Sequence, residues 1–513
     1  MNEPAVALSA VSDVLRSADL LLAEQGQEDV SVRGVAQDSR RVRPGDLFLA
    51  WEGTTTDAHD FVDDAVARGA VAVVVEHPVP APVPQLVVSD GRKAGALAAH
   101  RVMDSPSHEL LTVGVTGTNG KTTTAHLVRH ILSAEMPTAV IGTLGLVEEG
   151  GVRPGSEGLT TPGPVQIAVW LRELADGGTK AVVLEASSHA LAQARLDGID
   201  FDVAIFTNLT QDHLDYHADM GDYLHAKAHL VELVAPDGTV VVNADEPAWR
   251  SLRPGSRTLR TFSVEDGATA AGSASVDASG PDGARGAARA DVRATDVVLD
   301  AHGASFTIRA DGREAAVRIP LVGRYNVENA LAAATAALAV GIPFSRIAER
   351  LGDAPPVPGR LEPVVSEPFS VLIDFAHTPA ALEGALGAVR PLTDGRLIVV
   401  FGAGGDRDPT KRAPMARVAA KLADLVILTS DNPRTEDPES IIDDLAAAIV
   451  GPSYLRHADR REAIRMALDA ARPGDTVLLA GKGHERYQVV GAEKRPFDER
   501  GIVQALLSEG GGS

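Results

Sequence analysis

Apolar residues along this chain fall into short uninterrupted runs separated by longer stretches with helical spacing. From residue 111 the order is LTVGV, a helix from Lys121, TAVIG at 138–142, a helix over 164–175, AVVLE at 181–185 and DVAIFTN at 202–208. Such runs, bounded by Gly, Pro or Asp, read as strands. Strands that alternate with helices imply a parallel sheet covered by helices. The alternation resumes with VLIDF at 371–375, a helix from Thr378, RLIVVFG at 396–402, a helix from Lys411, DLVILTS at 424–430, a helix from Pro438 and DTVLLAG at 475–481. The first hundred residues mix short strands with turn signals, ending in VAVVV at 71–75 and the proline-punctuated HPVPAPVP at 77–84. The expected fold class is α/β throughout.

Breaks in the pattern divide the chain. RVMDSPSHEL at 101–110 is polar, and DAPPVPGR at 353–360 holds three prolines that stiffen a connector. The expected domains are 1–107, 108–352 and 353–513. Residues 264–292 are rich in Gly, Ala, Ser and Asp without a hydrophobic period and read as an elaborated surface loop. The terminal SEGGGS is set aside from fold reasoning.

Length and charge narrow the function. At 513 residues with 44% hydrophobic content, the chain can bury several cores. Asp and Glu number 70 against 48 Lys and Arg, a net charge of −22 that repels nucleic acid and anionic membranes. No apolar run approaches the ~20 residues that a membrane span needs, and the absence of cysteine excludes disulfides and thiolate chemistry. The expectation is a cytoplasmic monomer acting on small molecules.

The strongest chemical signal is GVTGTNGKTTT at 114–124, directly after a strand. A glycine-rich turn exposes backbone N–H groups, and the helix that follows adds a partial positive charge, so phosphate is favoured there. Lys121 would reach the outer phosphates and Thr122 would offer a hydroxyl to magnesium. The spacing is shorter than in the usual phosphate loop: Val115 stands where G-x-x-x-x-G-K-[ST] has its first glycine.

TGTNGKTT, LEASSH at 184–189, NLTQDHLDYH at 208–217, GRYNVENALAA at 323–333, DFAHTP at 374–379, FGAGGDRD at 401–408 and DNPR at 431–434 follow one another in an order that closely resembles the Mur ligase family. The resemblance implies an ATP-dependent amide ligase of peptidoglycan synthesis, with a UDP-substrate domain, a central ATPase domain and a Rossmann-like third domain. Within the family the wording is nearest to enzymes that add the third amino acid, here meso-2,6-diaminopimelate, to UDP-N-acetylmuramoyl-L-alanyl-D-glutamate. ATP and Mg2+ are the implied cofactors.

The resemblance also implies roles. Gly117, Thr118, Asn119, Gly120, Lys121, Thr122 and Thr123 would bind ATP, with Asn326 near the base and Asp374 and Arg360 around ribose and phosphate. Glu185 and His213 would hold metal together with Thr122, and Lys227 would be carbamylated and so turned into an anion. Ser39 and Arg40 match the uridine-nucleotide segment; Thr160, Thr161, Ser187, Gln193 and Arg195 match positions that hold the muramoyl peptide. Arg407, Asp431, Asn432, Pro433, Arg434, Gly481 and Glu485 match the diaminopimelate site, where an arginine fork suits the extra carboxylate.

Read without the resemblance, several of these residues have plainer roles: a strand-end acid for Glu185, a capping or core histidine for His213, a solvated helix lysine for Lys227, an amide cap for Asn326 and an ion pair for Arg360. Ser39 and Arg40 would be a basic loop, and Pro433 a turn among surface charges. The DFAHTP segment departs from the family with Phe375 where tyrosine is commoner, and residues 264–292 have no counterpart in it. L-lysine or LL-diaminopimelate as substrate, a folylpolyglutamate-synthetase-like ligase and a non-catalytic nucleotide-binding regulator are the alternatives.

Overall fold

The computed structural model describes residues 5–26, 29–53, 56–155, 159–214, 216–265, 290–300, 302–450 and 454–510. Three sheets organise them. In the first, strands Leu21–Gln25, Gln85–Val88, Ala72–Val75, Asp46–Leu49 and Gly34–Ala36 lie side by side in that order, parallel apart from the first pair. The AVVV and QLVV strands are buried along their length, as continuous runs in a parallel sheet should be. Helices Leu8–Ser17 and Gly91–Val102 cover one face through Leu8, Val11, Leu15, Ala94, Ala98 and Val102.

The central sheet has eleven described strands, in the order Gly151–Arg153, Gly145–Glu148, Thr138–Gly142, Ala181–Glu185, Leu111–Thr116, Phe201–Phe206, Val234–Asn243, Thr258–Val264, Val292–Asp300, Gly303–Ala310 and Arg313–Ile319. From Thr138–Gly142 to Val292–Asp300 all pairs are parallel, and antiparallel strands close both edges. Leu111–Thr116 thus sits between Ala181–Glu185 and Phe201–Phe206, so the three chain segments that leave these strands emerge together. One face is covered by helices Lys121–Leu132 and Arg324–Ala339, the latter so rich in alanine that it can lie close against its neighbours. Helix Pro164–Asp176 packs on the other face through Ile167, Trp170, Leu171 and Leu174.

The third sheet runs Glu362–Val365, Ser370–Asp374, Thr476–Ala480, Leu397–Phe401, Leu425–Thr429 and Tyr454–His457, parallel after its first pair. Parallel register brings the ends of four strands to one edge, and with them DFAH, GKGH, GAGG and DNPR. Helix Pro379–Val389 begins where Thr378 accepts the Ala381 N–H at 3.2 Å and proline fills the first turn.

The loop reading of 264–292 needs correction at its ends. Val264 closes one strand and Val292 opens its parallel neighbour, because Phe262, Val264, Val292 and Ala294 are apolar and buried. Residues 266–289 lie outside the described residues. Part of SEGGGS is likewise structured: helix Glu499–Gly510 includes Glu509, which meets Arg461 at 3.1 Å, while residues 511–513 lie outside the described residues.

The first two sheets are tied through Asp197, a buried acid. His229 Nε2 lies 3.1 Å from Asp197 Oδ2 and Lys93 Nζ 3.8 Å from Oδ1, the lysine reaching across from helix Gly91–Val102. The hydrogen bond to Asp197 raises the pKa of His229 above the ordinary value, against the opposing effect of burial. A raised folded-state pKa contributes stability that is full below the unfolded value of about 6.5 and is lost as pH climbs through the folded value. The thermal midpoint of the parent should therefore fall as pH rises through that window, and His229→Gln should flatten this dependence in scanning calorimetry.

Candidate active site

The phosphate loop is shaped by two glycines that no other residue could replace without strain. Gly117 has φ +145° and Gly120 has φ +86°. A Cβ on Gly117 would stand 1.9 Å from Thr207 Oγ1, and one on Gly120 would stand 2.4 Å from Asn329 Oδ1. The segment after the neighbouring strand holds the loop in place: Asn208 O accepts from Thr118 N at 2.8 Å, Asn208 Oδ1 from Asn119 N at 2.9 Å, and Thr210 O from Thr118 Oγ1 at 3.0 Å. Thr123 is buried in the first turn of the helix.

Two lysines converge on this loop. Lys121 Nζ donates to the carbonyls of Gly117 at 2.9 Å and Thr118 at 2.8 Å. Lys227 Nζ, on helix Met220–Glu232, donates to the same Gly117 carbonyl at 2.7 Å and stands over the Tyr223 ring. Lys227 is 1% exposed, so it is no solvated helix lysine. Burial, and next the charge of Lys121, push its pKa well below the ordinary lysine value. Burial also lowers Lys121, opposed by Glu185 and Asp212.

Glu185 is 1% exposed and fully engaged. Its Oε2 accepts from Thr122 Oγ1 at 2.9 Å and Thr143 Oγ1 at 3.0 Å, and Oε1 accepts from Thr143 N at 2.9 Å. Gly142 is what makes room, since a Cβ there would lie 2.1 Å from Oε1. Thr122, Thr143 and Glu185 form an oxygen-only donor set, the kind magnesium prefers. His213 has a left-handed backbone with φ +54°, its side chain is 42% exposed, and its ring meets His189 edge-on at 4.6 Å. It is therefore not a core histidine.

From the third unit, Arg360 Nη2 donates to Thr122 Oγ1 at 3.1 Å, joining the connector to the loop helix, and its guanidinium lies over the Phe375 ring. Asp374 is a turn clamp that accepts from Leu361 N at 2.7 Å and Ala376 N at 2.8 Å, and burial raises its pKa. Asn326 is buried, with Nδ2 donating to Val322 O at 2.8 Å and Oδ1 accepting from Asn329 at 3.0 Å. Both ends of its amide are thus engaged around the start of its own helix. A cavity of about 520 Å³, which Asn326 does not line, opens between Thr210, Arg324 and Tyr325 and the helix residues Ala380, Glu383 and Gly384.

Continuing from Glu185, Thr161 Oγ1 donates to Glu185 O at 2.6 Å and lies 3.1 Å from Ser187 Oγ, while Arg195 Nη1 donates to Thr161 O at 2.9 Å. Arg195 also grips Gln193 Oε1 at 2.6 Å, and Gln193 Nε2 reaches Tyr216 at 3.2 Å. Thr160 is half-buried beside them. Ser39 is buried in a short 3-10 turn capped by Asp38, whereas Arg40 has 81% of its side chain exposed and pairs with Asp38 at 2.9 Å. Gln37, just before this turn, faces Gly163.

At the edge of the third sheet, Asn432 Nδ2 donates to Glu485 Oε2 at 3.0 Å and Gln488 Nε2 to Asp431 O at 2.7 Å. Arg434, with φ +51° after Pro433, donates to Gly405 O at 2.7 Å. Gly404 lies between Arg434 and the exposed Arg407, and Gly481, at φ +112°, leaves room for Asp431 Oδ2. Thr143, Thr207, Asn208, Asn329 and Lys482 are site residues that sequence reasoning misses. Three of them lie within recognisable segments, Asn208 at the start of NLTQDHLDYH, Asn329 one helical turn after Asn326 in GRYNVENA and Lys482 in GKGHE, whereas Thr143 and Thr207 carry no such signal.

Three domain models match the chain in order: the Mur ligase family catalytic domain over residues 31–104, the Mur ligase middle domain over 115–337 and the Mur ligase glutamate ligase domain over 359–483. A Gloeobacter violaceus protein named UDP-N-acetylmuramoyl-L-alanyl-D-glutamate--2,6-diaminopimelate ligase is 42% identical over 487 residues, 94% of this chain and 95% of its own length. The chain belongs to the Mur ligase family. A Synechococcus elongatus relative of the same name is 44% identical over 498 residues, with 94% and 95% of the two chains covered. A solved structure that also bears this name superposes with TM-score 0.69 at 31% identity, covering 99% of this Mur ligase and 100% of that chain.

The loop geometry sets a stability test. Gly120→Ala combines a left-handed backbone with a clash and should cost roughly 1–3 kcal/mol. Gly384→Ala, in a helix with nothing within 4 Å of the added methyl, should gain about 1 kcal/mol. Urea unfolding of both variants checks the opposite signs.

Proposed function

We propose that this Mur ligase joins meso-2,6-diaminopimelate to the D-glutamate carboxylate of UDP-N-acetylmuramoyl-L-alanyl-D-glutamate, with ATP converted to ADP and phosphate. One observation carries the specificity. Arg434, Asp431, Asn432 and Glu485 come from loops at one sheet edge, which brings an arginine and two carboxylates to the same end of the sheet. That complements a substrate head bearing both a carboxylate and an ammonium. The names of the relatives point to the same amino acid.

A carboxylate is a poor electrophile, so it must be activated before an amine can displace oxygen. The loop N–H groups and the helix start at Lys121 favour the triphosphate, and Lys121 faces its outer end. The D-glutamate carboxylate attacks the terminal phosphorus and ADP departs; the diamino acid's amine then adds to the acyl carbon, and the charged tetrahedral species collapses to the amide as the C–O bond breaks, releasing inorganic phosphate and a proton from the nitrogen. Cationic neighbours hold that charge; Lys121 and Arg360 are the candidates. Thr122 and Glu185, with His213 and a carbamylated Lys227, would hold magnesium, which when bound offsets repulsion between triphosphate and carboxylate. The depressed basicity of Lys227 favours the neutral amine that reacts with carbon dioxide, giving a carbamate and releasing a proton.

Thr160, Thr161, Ser187, Gln193 and Arg195 are assigned to the muramoyl peptide, and Ser39 and Arg40 to the uridine nucleotide. Asn326 and Asp374 act by shaping the ATP cleft rather than through free polar atoms. Among the described residues no helix is long and apolar enough to cross a membrane. A cytoplasmic monomer meeting its nucleotide substrates there is the matching cellular reading.

A product assay by mass spectrometry, with UDP-N-acetylmuramoyl-L-alanyl-D-glutamate, ATP and a panel of diamino acids, should yield tripeptide with meso-diaminopimelate. Phosphate release should require both co-substrates; release from ATP alone, or none, overturns the reading. Lys121→Ala should lower the rate by on the order of 10²–10³-fold or more. Carbon-13 NMR after incubation with labelled bicarbonate should show a carbamate signal in the parent that is missing from Lys227→Ala; its absence from the parent removes the modification.

A further inference from the structure

Lys482 lies at the centre of the acid–amide cluster, and the ligase chemistry leaves it without a task. Its side chain is 0% exposed. Nζ is 2.8 Å from Glu485 Oε2, 2.9 Å from Asn432 Oδ1 and 4.0 Å from Asp431 Oδ1. Burying an ammonium is expensive unless it is paired and hydrogen-bonded, and here it is both.

The contacts do more than satisfy the lysine. Asn432 Oδ1 accepts from Lys482 Nζ and also from the Val489 N–H at 2.9 Å, and a backbone N–H can face only the oxygen of an amide. The amide is thereby oriented so that Nδ2 points to Glu485 and donates to Oε2 at 3.0 Å. Lysine and amide both end on the same carboxylate oxygen, which sets the rotamer of Glu485. The neighbouring Asp431 keeps Oδ2 buried without a hydrogen-bond partner. Two carboxylates against one ammonium leave the cluster one negative charge in surplus. A single substrate ammonium neutralises it. Without Lys482 the surplus would be two, which attracts ammonium but repels the carboxylate that Arg434 is placed to receive.

We propose that Lys482 is a positioning and specificity-determining residue. It aims Asn432 and Glu485, and it sets the charge of the site so that an amino-acid head carrying ammonium and carboxylate together is preferred over a bare alkylammonium. This role rests on the ligase activity proposed for the chain.

The test compares KM values of the parent and Lys482→Met for ATP, for UDP-N-acetylmuramoyl-L-alanyl-D-glutamate and for meso-diaminopimelate, with L-lysine as the competing amine. The variant should raise KM for diaminopimelate about tenfold or more and lower its preference over lysine about tenfold, each worth a broken charge-assisted contact. The other two KM values should stay within about twofold, and the same substitution in a Glu485→Gln background should change KM less than about threefold, because coupled residues are non-additive. Should Lys482→Met show no cooperative unfolding, Lys482→Gln, which keeps a hydrogen bond without the charge, is measured in its place with the same expectations. Equal rises in all three KM values, an unchanged preference, or the same factor in both backgrounds overturns the proposal. Loss of the ligase reading is separately visible: the parent itself would then form no tripeptide, and the role assigned to Lys482 would go with it.

Discussion

The carbonyl oxygen of Gly117 accepts from two lysines, the half-buried Lys121 and the buried Lys227, and the architecture around the loop depends on that meeting. Burial, and next the charge of Lys121, make Lys227 hard to keep protonated there. Phosphate nearby, or a carbamate at Lys227, would relieve that tension. It persists because Gly117 and Gly120 adopt backbones closed to other residues, and because the segment 207–210 clamps the loop from the next strand. The parallel order of the central sheet is what makes that segment adjacent.

Much of this is legible in the order of the amino acids. Buried parallel strands read as continuous apolar runs, so LTVGV, AVVLE and LIVVF declare themselves, and helix starts follow from Pro164, Thr378 and Pro438. The loop residues declare themselves as well, since glycine, lysine and hydroxyl in that order have few other uses. Residues that act through a neighbour stay hidden. Thr143 is an ordinary threonine after a strand, yet it binds Glu185 twice; Asn329 is one polar residue in an alanine-rich helix, yet it meets the loop. Asn326, whose motif suggests a contact for the base, spends its amide on Val322 and Asn329. Periodicity also misleads at the ends of 264–292, where composition hides two short buried strand termini.

Arg360 shows how the units communicate. It belongs to the proline-stiffened connector, yet its guanidinium reaches the hydroxyl that Glu185 also binds, while Phe375 supports it from the third unit. A planar cation on an aromatic face can hold its position with little loss of rotamer freedom. Phenylalanine at 375 keeps the stacking surface, so the departure from tyrosine leaves this support intact.

The junction between strands Thr258–Val264 and Val292–Asp300 has a consequence for how this chain can diverge. Their register pairs Phe262 with Val292 and Val264 with Ala294, so the strands overlap only at adjoining tips, where Glu265 N donates to Ala294 O at 2.9 Å. Lengthening a segment with neighbouring endpoints carries an entropic penalty that grows only logarithmically. Insertions between those tips leave the register of the sheet untouched, which makes the junction a tolerant point for grafted sequence, three strands away from Leu111–Thr116 in the sheet order.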